Sequence, residues 1–377
     1  MHTVLNPLFY LRRNLSKTMP LMLVIAMSVV MVASVVTVVR SIDLTVYTIY
    51  GYNRFLTGLT PRNMLAVDEN VVKKVRAIPQ LGNLEGVHSY QVPMKTIFGR
   101  LTFPVFGLTG EGRKLLMERC EVRLSAGRMP TEGEPEAALS EEVARNIGAK
   151  IGDVIMKPDS EDSYAPLPIK LVGLLRGKVW MGLMSKVLVD FNSPFTWQGY
   201  LAFARTPGQQ RELDEAMDKL VDKSKARVWK FAYLIKETRS SLSNLYLILT
   251  LIITIVVSTI SFVCGLLTNI YFTQRLPEVA TLSAIGYTRE RLLWRAAKET
   301  ILYCVLGWAL GCLLTMTLLG GVRALLLEPR GLLLNAFDIN AYVFTLPLPI
   351  TIILFATATI GIRLSRLDPV SIIERRG

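Results

Sequence analysis

The 377-residue chain is 51 % hydrophobic and only 19 % charged, with a formal net charge of +13 and a positive mean hydropathy. That balance excludes an ordinary soluble globular protein of this length. Four stretches free of charge, 18–39, 240–274, 300–322 and 339–362, show where the apolar residues gather. Each meets the roughly 20 residues that a helix needs to cross about 30 Å of hydrocarbon while satisfying its own backbone.

In chain order, residues 1–18 are expected as a cytoplasmic interfacial helix, with Leu5, Leu8 and Phe9 beside Arg12 and Arg13. Residues 19–41 form the first span. Arg12, Arg13 and Lys17 before an apolar run also suit a secretory leader, whose apolar core is about 7–15 residues. This run extends from Pro20 to Val39 and carries Ala33-Ser34 inside it, so it reads as a retained helix.

Residues 42–240 are patterned as a folded α+β domain. Val71, Val72, Val75 and Ile78 recur at helical spacing before Pro79. Strands are expected at 86–98 and 102–108, then a short helix with Ser140 as N-cap and Gly148 as terminator. Further strands are expected at 167–175, 186–191 and 227–235, and a polar helix at 209–224. Mixed segments Arg40–Tyr52 and Tyr233–Tyr246 flank the domain and suit stalks.

The second span is placed at 241–271, a cytoplasmic connector at 272–299, the third span at 300–322, an external loop at 323–340, the fourth span at 341–363 and a cytoplasmic tail at 364–377. Lys and Arg concentrate in the N-terminal segment, in 275–298 and after 362, whereas the loop between spans three and four holds only Arg323 and Arg330. The positive-inside bias then puts both termini in the cytoplasm and 42–240 outside. Distributed this way, the net charge reflects topology and anionic lipid headgroups rather than a nucleic-acid groove.

The chemistry-bearing residues are sparse. Cys264, Cys304 and Cys312 lie in spans and Cys120 is alone in the domain, so neither an intradomain disulfide nor a zinc site is expected. Gly107-Leu-Thr-Gly-Glu-Gly-Arg-Lys114 resembles a phosphate loop but lacks the Gly-Lys-Ser/Thr ending. Glu132, Glu134 and Glu136 form an acidic cluster that reads as a solvated turn. The histidines, His2 and His88, sit in no hydrolase motif, and His88 reads as a strand residue. No catalytic or metal site is expected, and no span carries the interior charge that marks ion pathways.

The sharpest pattern follows span two, in Gln274-Arg-Leu-Pro-Glu-Val-Ala-Thr-Leu-Ser-Ala-Ile-Gly-Tyr287. Pro277 and Glu278 suit a first helical turn, Val279, Leu282 and Ile285 share a face, and Gly286 ends the helix. Thr288 then caps the helix leading into span three. In span three, Gly307-Trp-Ala-Leu-Gly311 permits close helix approach, with packing inside its own bundle favoured over a dimer seam.

The 274–287 segment resembles the coupling helix of ABC permeases of the MacB/FtsX type, with wording closest to the DevC-like branch. Leu124–Gly133 and Ala138–Asp153 resemble that family's extracytoplasmic core domain, and Arg366-Leu-Asp368-Pro369 its closing Asp-Pro motif. The resemblance implies a four-helix membrane protein in a one-plus-three arrangement, with a mixed α+β domain between helices 1 and 2. It further implies a bacterial inner-membrane homodimer; this chain shows no nucleotide-binding domain, whereas some members carry one fused at the N-terminus, so the ATPase is expected as a separate polypeptide. Two copies of a separate ABC ATPase subunit would bind ATP and Mg²⁺, and a periplasmic adaptor would join in some envelopes. It assigns Arg275 and Glu278 to polar contacts with that ATPase, Val279, Leu282 and Ile285 to an apolar plug, and Pro277 and Gly286 to the turns around them. Two functions remain open: export or extraction of a hydrophobic or amphiphilic compound, and mechanical control of an external partner such as a cell-wall hydrolase. A receptor reading lacks a relay domain on the cytoplasmic side. Nothing in 42–240 selects a substrate.

Overall fold

The computed structural model describes residues 15–62, 65–97, 99–192, 198–274, 281–282 and 285–365. They fall into two compact units. One comprises the described parts of 1–40, 244–322 and 335–377, and the other 41–243 together with 323–334.

Helix α1 (Leu15–Ile49) begins in the first unit and continues past Arg40, so its last turns are a helical extension of the span. A short 3-10 turn (Gly51–Arg54) leads into the domain: β1 (Thr57–Pro61), α2 (Glu69–Arg76), β2 (Leu81–Thr96), β3 (Gly99–Leu108), α3 (Gly110–Arg119) and β4 (Val122–Gly127). Then come β5 (Glu136–Ser140), α4 (Glu141–Ile147), β6 (Val154–Met156), β7 (Ile169–Gly177), β8 (Gly182–Ser185) and α5 (Lys186–Asn192). The domain closes with β9 (Gly199–Ala204), α6 (Gln210–Leu220), β10 (Ala226–Trp229) and α7 (Phe231–Ser241).

The strands form one sheet in the order β10-β1-β9-β2-β3-β8-β5-β7-β4, with β6 on the side of β7. Strand β2 is the shared member. Leu81–Val87 pair with β9, and His88–Thr96 pair with β3. Side-chain alternation gives the sheet two apolar faces. On one, Val92, Met94, Phe103 and Val105 meet Val143 of α4 and Val189 of α5. On the other, Leu108, Leu183 and Phe203 meet Leu116 of α3. At the β1 end, α2 and α6 cover Leu59 and Ala202 with Val75, Leu213 and Met217. Helix α2 forms because Asp68 caps it, accepting from the Asn70 amide at 2.8 Å, and because Val71, Val72 and Val75 bury one stripe.

Three expectations need correction. Residues 186–191 are helical, because Val189 must pack over Gly107, where a Cβ would lie 2.8 Å from Val189 Cγ2. The strand expected at 227–235 stops at Trp229 and the chain turns into α7. Ser140 stands at the N-cap of α4 and Gly148 ends it at φ +77°, but the Ser140 hydroxyl does not cap. It accepts from the Met181 amide at 2.8 Å and donates to the Met181 carbonyl at 3.3 Å.

The remaining helices are α8 (Ser243–Gln274), α9 (Arg289–Val322), α10 (Ile339–Val343) and α11 (Pro347–Ser365). With α1 they provide, among the described residues, four helical segments long and apolar enough to cross a membrane. Their core joins Leu21, Ile25, Val29 and Ala33 of α1, at helical spacing, to Tyr303 and Cys304 of α9 and Ile352 of α11. Burial is uneven. The most apolar window of α1 is 44 % buried and that of α8 only 6 %, so α8 is the helix that turns most of its apolar surface outward.

Candidate coupling and transmission site

Within the membrane unit, α1 and α9 approach through the two glycines expected from sequence. A Cβ on Gly307 would lie 3.0 Å from Ile25 Cβ and the Met22 carbonyl, and one on Gly311 2.6 Å from Val29 Cβ. Any larger residue pushes the helices apart. On the other side, Gly265 of α8 accepts the ring of Phe355, and Ser261 Oγ lies 2.8 Å from Thr351 Oγ1. Trp308 Nε1 donates to Thr345 Oγ1 at 2.8 Å, and Arg40 pairs with Asp338, the residue that caps α10. On α8, Thr254 donates its hydroxyl to its own helix at the Thr250 carbonyl.

At the other end of this unit lies the segment singled out as a coupling helix. Arg275, Pro277, Glu278 and Val279 lie outside the described residues, as do Asp368 and Pro369. Gly286 has φ +99°, and the Tyr287 amide donates to the Leu282 carbonyl at 3.1 Å. A left-handed residue followed by this bond is a Schellman stop. Leu282 and Tyr287 pack toward Leu292 and Ile360, which seats the stop on α9 and α11. Ile285, by contrast, is 71 % exposed. Thr288 Oγ1 accepts from the Arg291 amide at a long 3.5 Å, and its carbonyl accepts from Leu292. Arg295 reaches Glu299, which is buried, at 3.3 Å. Among the described residues, the site is thus a helix stop that leaves Ile285 uncovered beside a rooted span, with Trp294 of α9 also exposed.

Within the domain unit, the two flanking segments are helical and clasp each other. Arg239 Nε of α7 lies 3.1 Å from Asp43 Oδ1 of α1, and the Tyr47 and Phe231 rings stand 5.7 Å apart. The Arg54 guanidinium lies 4.8 Å from the Phe231 centroid, and that of Arg239 lies 5.6 Å from Tyr47. Each such contact is worth about 0.5–1 kcal/mol where water reaches it.

A second attachment was not legible as one. Residues expected as part of an external loop, 323–334, belong to the domain unit. Leu333 packs on the domain core and Leu334 is buried. Asn146 Oδ1 accepts from the Lys95 amide at 2.7 Å. Its Nδ2 donates to the Lys95 carbonyl at 2.8 Å, with the Arg330 and Gly331 carbonyls at 3.3 and 3.4 Å. Gly331 has φ +61° and passes so close to α4 that a Cβ would lie 2.4 Å from the Glu142 carbonyl. The apolar run Leu332-Leu333-Leu334 after Gly331 is the one local hint of burial, and it does not say what the segment packs against. The chain therefore joins the two units at four places: 40–41, 243–244, 322–323 and 334–335.

Other singled-out residues are structural. Glu132 pairs with Arg113 at 2.6 Å, and Glu136 with Arg128, whose hydrogen bonds hold the Glu136 carboxyl down at about 2. No group of three metal-ligating side chains occurs among the described residues. His88 is buried with Nδ1 2.5 Å from Asp190, and burial lowers its pKa despite that carboxylate. Cys120 is buried and its thiol is pushed up to about 12 by desolvation. The Gly110–Lys114 stretch begins α3, capped by Thr109 accepting from the Gly112 amide.

Residues 238–369 match the FtsX-like permease C-terminal family. No curated protein sequence matches the chain. Among solved structures, the chain is similar to the extracellular domain of the noncanonic ABC-type transporter YknZ from Gram-positive bacteria. The identity is 13 %, coverage is 47 % of this chain and 99 % of that one, and the TM-score is 0.30. It is also similar to the periplasmic region of MacB from Actinobacillus actinomycetemcomitans, at 10 % identity, 50 % and 92 % coverage and a TM-score of 0.30. A permease domain from Porphyromonas gingivalis follows at 12 % identity, 46 % and 86 % coverage and a TM-score of 0.25. Likenesses of this size say nothing about activity or partners. The match over 238–369 takes in α8, the connector, α9 and α11 in one stretch, so this part of the chain carries an FtsX-like permease C-terminal domain.

Proposed function

We propose that this chain is the membrane subunit of an ATP-driven ABC transporter that exports or extracts a hydrophobic or amphiphilic compound. The observation that carries the reading is the FtsX-like match over 238–369, which includes the coupling segment and the three spans around it. In this reading a separate ATPase, present in two copies, binds ATP and Mg²⁺ and docks on the connector. Arg275 and Glu278 make its polar contacts, and Val279, Leu282 and Ile285 its apolar ones. Gly286 supplies the stop and Pro277 the start. The exposure of Ile285 supports an apolar partner at this face. A second copy of the chain would cover α8, whose apolar surface is turned outward. The protein would lie in a bacterial inner membrane with both termini cytoplasmic and the domain outside.

Force would pass from the connector into the spans and reach the domain through the clasped stalks. The fastening of 323–334 to the domain core favours a second reading, in which the spans pull on the domain to control an external partner without moving a solute. The test is co-purification of the chain with a co-expressed ABC ATPase encoded beside it. A stoichiometric complex whose hydrolysis rises with an added amphiphile supports transport. Hydrolysis that responds only to an external protein supports mechanical control, and absence of any complex removes both readings.

A further inference from the structure

Strand β4 ends the strand order and pairs only with β7, so its outer edge has no strand partner among the described residues. From Arg123 to Gly127 every residue is exposed. Beside this edge runs α3, and between them lies a groove of about 900 Å³. Helix α3 presents Lys114, Met117 and Glu118 to the groove, at helical spacing. The strand presents Arg123 and Leu124, and Met129 closes the apolar side. A free strand edge facing a helix is the geometry into which an extended peptide adds as a further strand.

The edge selects its occupant by charge. Arg123 is in register with Arg176 on β7, so both point to one side of the sheet, whereas Leu124 points to the other. Arg176 is held by Glu141 at 2.8 Å and Glu121 by Lys178 at 2.7 Å. Neither Arg123 nor Lys114 makes an ion pair with a described residue, and Arg113 beneath the groove has a buried Nη1 without a hydrogen-bond partner. Antiparallel pairing of two such edges would set Arg123 and Arg176 of one copy against those of the other, which opposes self-association. A bulge between Leu124 and Ala126 limits the free ladder to its first residues.

We propose that the α3–β4 groove binds an extended peptide segment of a partner protein by strand addition. In that segment acidic side chains alternate with apolar ones, the acids facing Arg123 and the apolar residues facing Met117, Leu124 and Met129. This stands apart from the transport reading, because it depends on no ATPase and no solute.

The test uses the full chain in nanodiscs and a fluorescent, end-capped Glu-Val repeat peptide as probe. Saturable binding is expected that weakens with salt, is lost in a Lys-Val repeat, and is lost when alternate backbone nitrogens are methylated. Arg123→Glu should weaken it at least about tenfold, the scale of one well-placed charge pair, and Arg123→Lys should largely restore it. Glu118→Lys should tighten it, which no misfolded variant would do. Equal binding of the Lys-Val peptide, indifference to backbone methylation, no effect of either charge reversal, or no saturable binding of the Glu-Val probe would each overturn the proposal.

Discussion

Replacing Gly331 by alanine should release the 323–334 segment from the domain while leaving the fold intact. Two terms add. A non-glycine residue in the left-handed region costs about 1–2 kcal/mol, and Gly331 sits there at φ +61°. The new Cβ would also lie 2.4 Å from the Glu142 carbonyl and 3.0 Å from Asn146 Cβ. That carbonyl belongs to α4 and has little freedom to yield, so relief comes from moving the loop. Together the terms reach about 3 kcal/mol, or about 100-fold in the docked-to-undocked ratio. Hydrogen exchange of the full chain in nanodiscs reads this directly: amides of 323–334 should exchange about 100-fold faster, in line with that shift, with β3 unchanged. Gly320→Ala and Gly321→Ala, where a Cβ meets nothing within 4 Å, serve as silent controls. Unaltered exchange in Gly331→Ala, or equal change in the controls, would refute the docking argument.

Other perturbations follow from the same geometry. Gly311→Leu should separate α1 from α9 at a cost of about 1–3 kcal/mol, because Val29 Cβ and the Ala26 carbonyl stand 2.6 and 2.7 Å from the new Cβ; an unchanged thermal midpoint in detergent would contradict this. In a double-mutant cycle, Tyr47→Ala and Phe231→Ala should be non-additive by about 0.5–1.5 kcal/mol, and full additivity would mean the stalk rings do not cooperate. Burial lowers the His88 pKa below its ordinary 6.5, and Lys186 adds to this while Asp190 opposes it. The unfolded chain therefore binds the proton at higher pH than the folded one. The stability contribution is complete above pH 6.5 and is lost as pH falls from there through the folded-state value. The stability of wild type should decline across that window more steeply than that of His88→Gln, and parallel curves would exclude His88 as the cause.

The spans were legible because lipid imposes a simple demand: long charge-free stretches, each ending at residues such as Arg40 and Arg275. Gly307 and Gly311 were legible as a close approach because nothing larger fits at that spacing. The domain was legible where local signals agreed, as in the helix carrying the Val71, Val72, Val75 stripe and the Gly148 stop. It was misread where tertiary contact decided. Residues 186–191, Lys-Val-Leu-Val-Asp-Phe, have the apolar and β-branched content of a strand, yet the small residue at Gly107 makes room for a helix over it. Ser140 looks like a cap but serves Met181, a residue far away in sequence. The fastening of 323–334 depends on Asn146 and the Gly331 backbone meeting across the fold, which no local pattern encodes. Of the candidate coupling site, the stop at Gly286 rests on backbone conformation and so could be anticipated, whereas the exposure of Ile285 depends on which neighbours cover it.

In the proposed function an ATPase drives this chain through the 274–287 segment. The most direct measurement is ATP hydrolysis by the permease–ATPase complex in lipid nanodiscs, compared between wild type and Glu278→Lys at equal complex content. The account predicts that reversing this charge breaks the dependence of hydrolysis on the permease while the chain remains folded and inserted. Hydrolysis and its coupling unchanged in Glu278→Lys would contradict it.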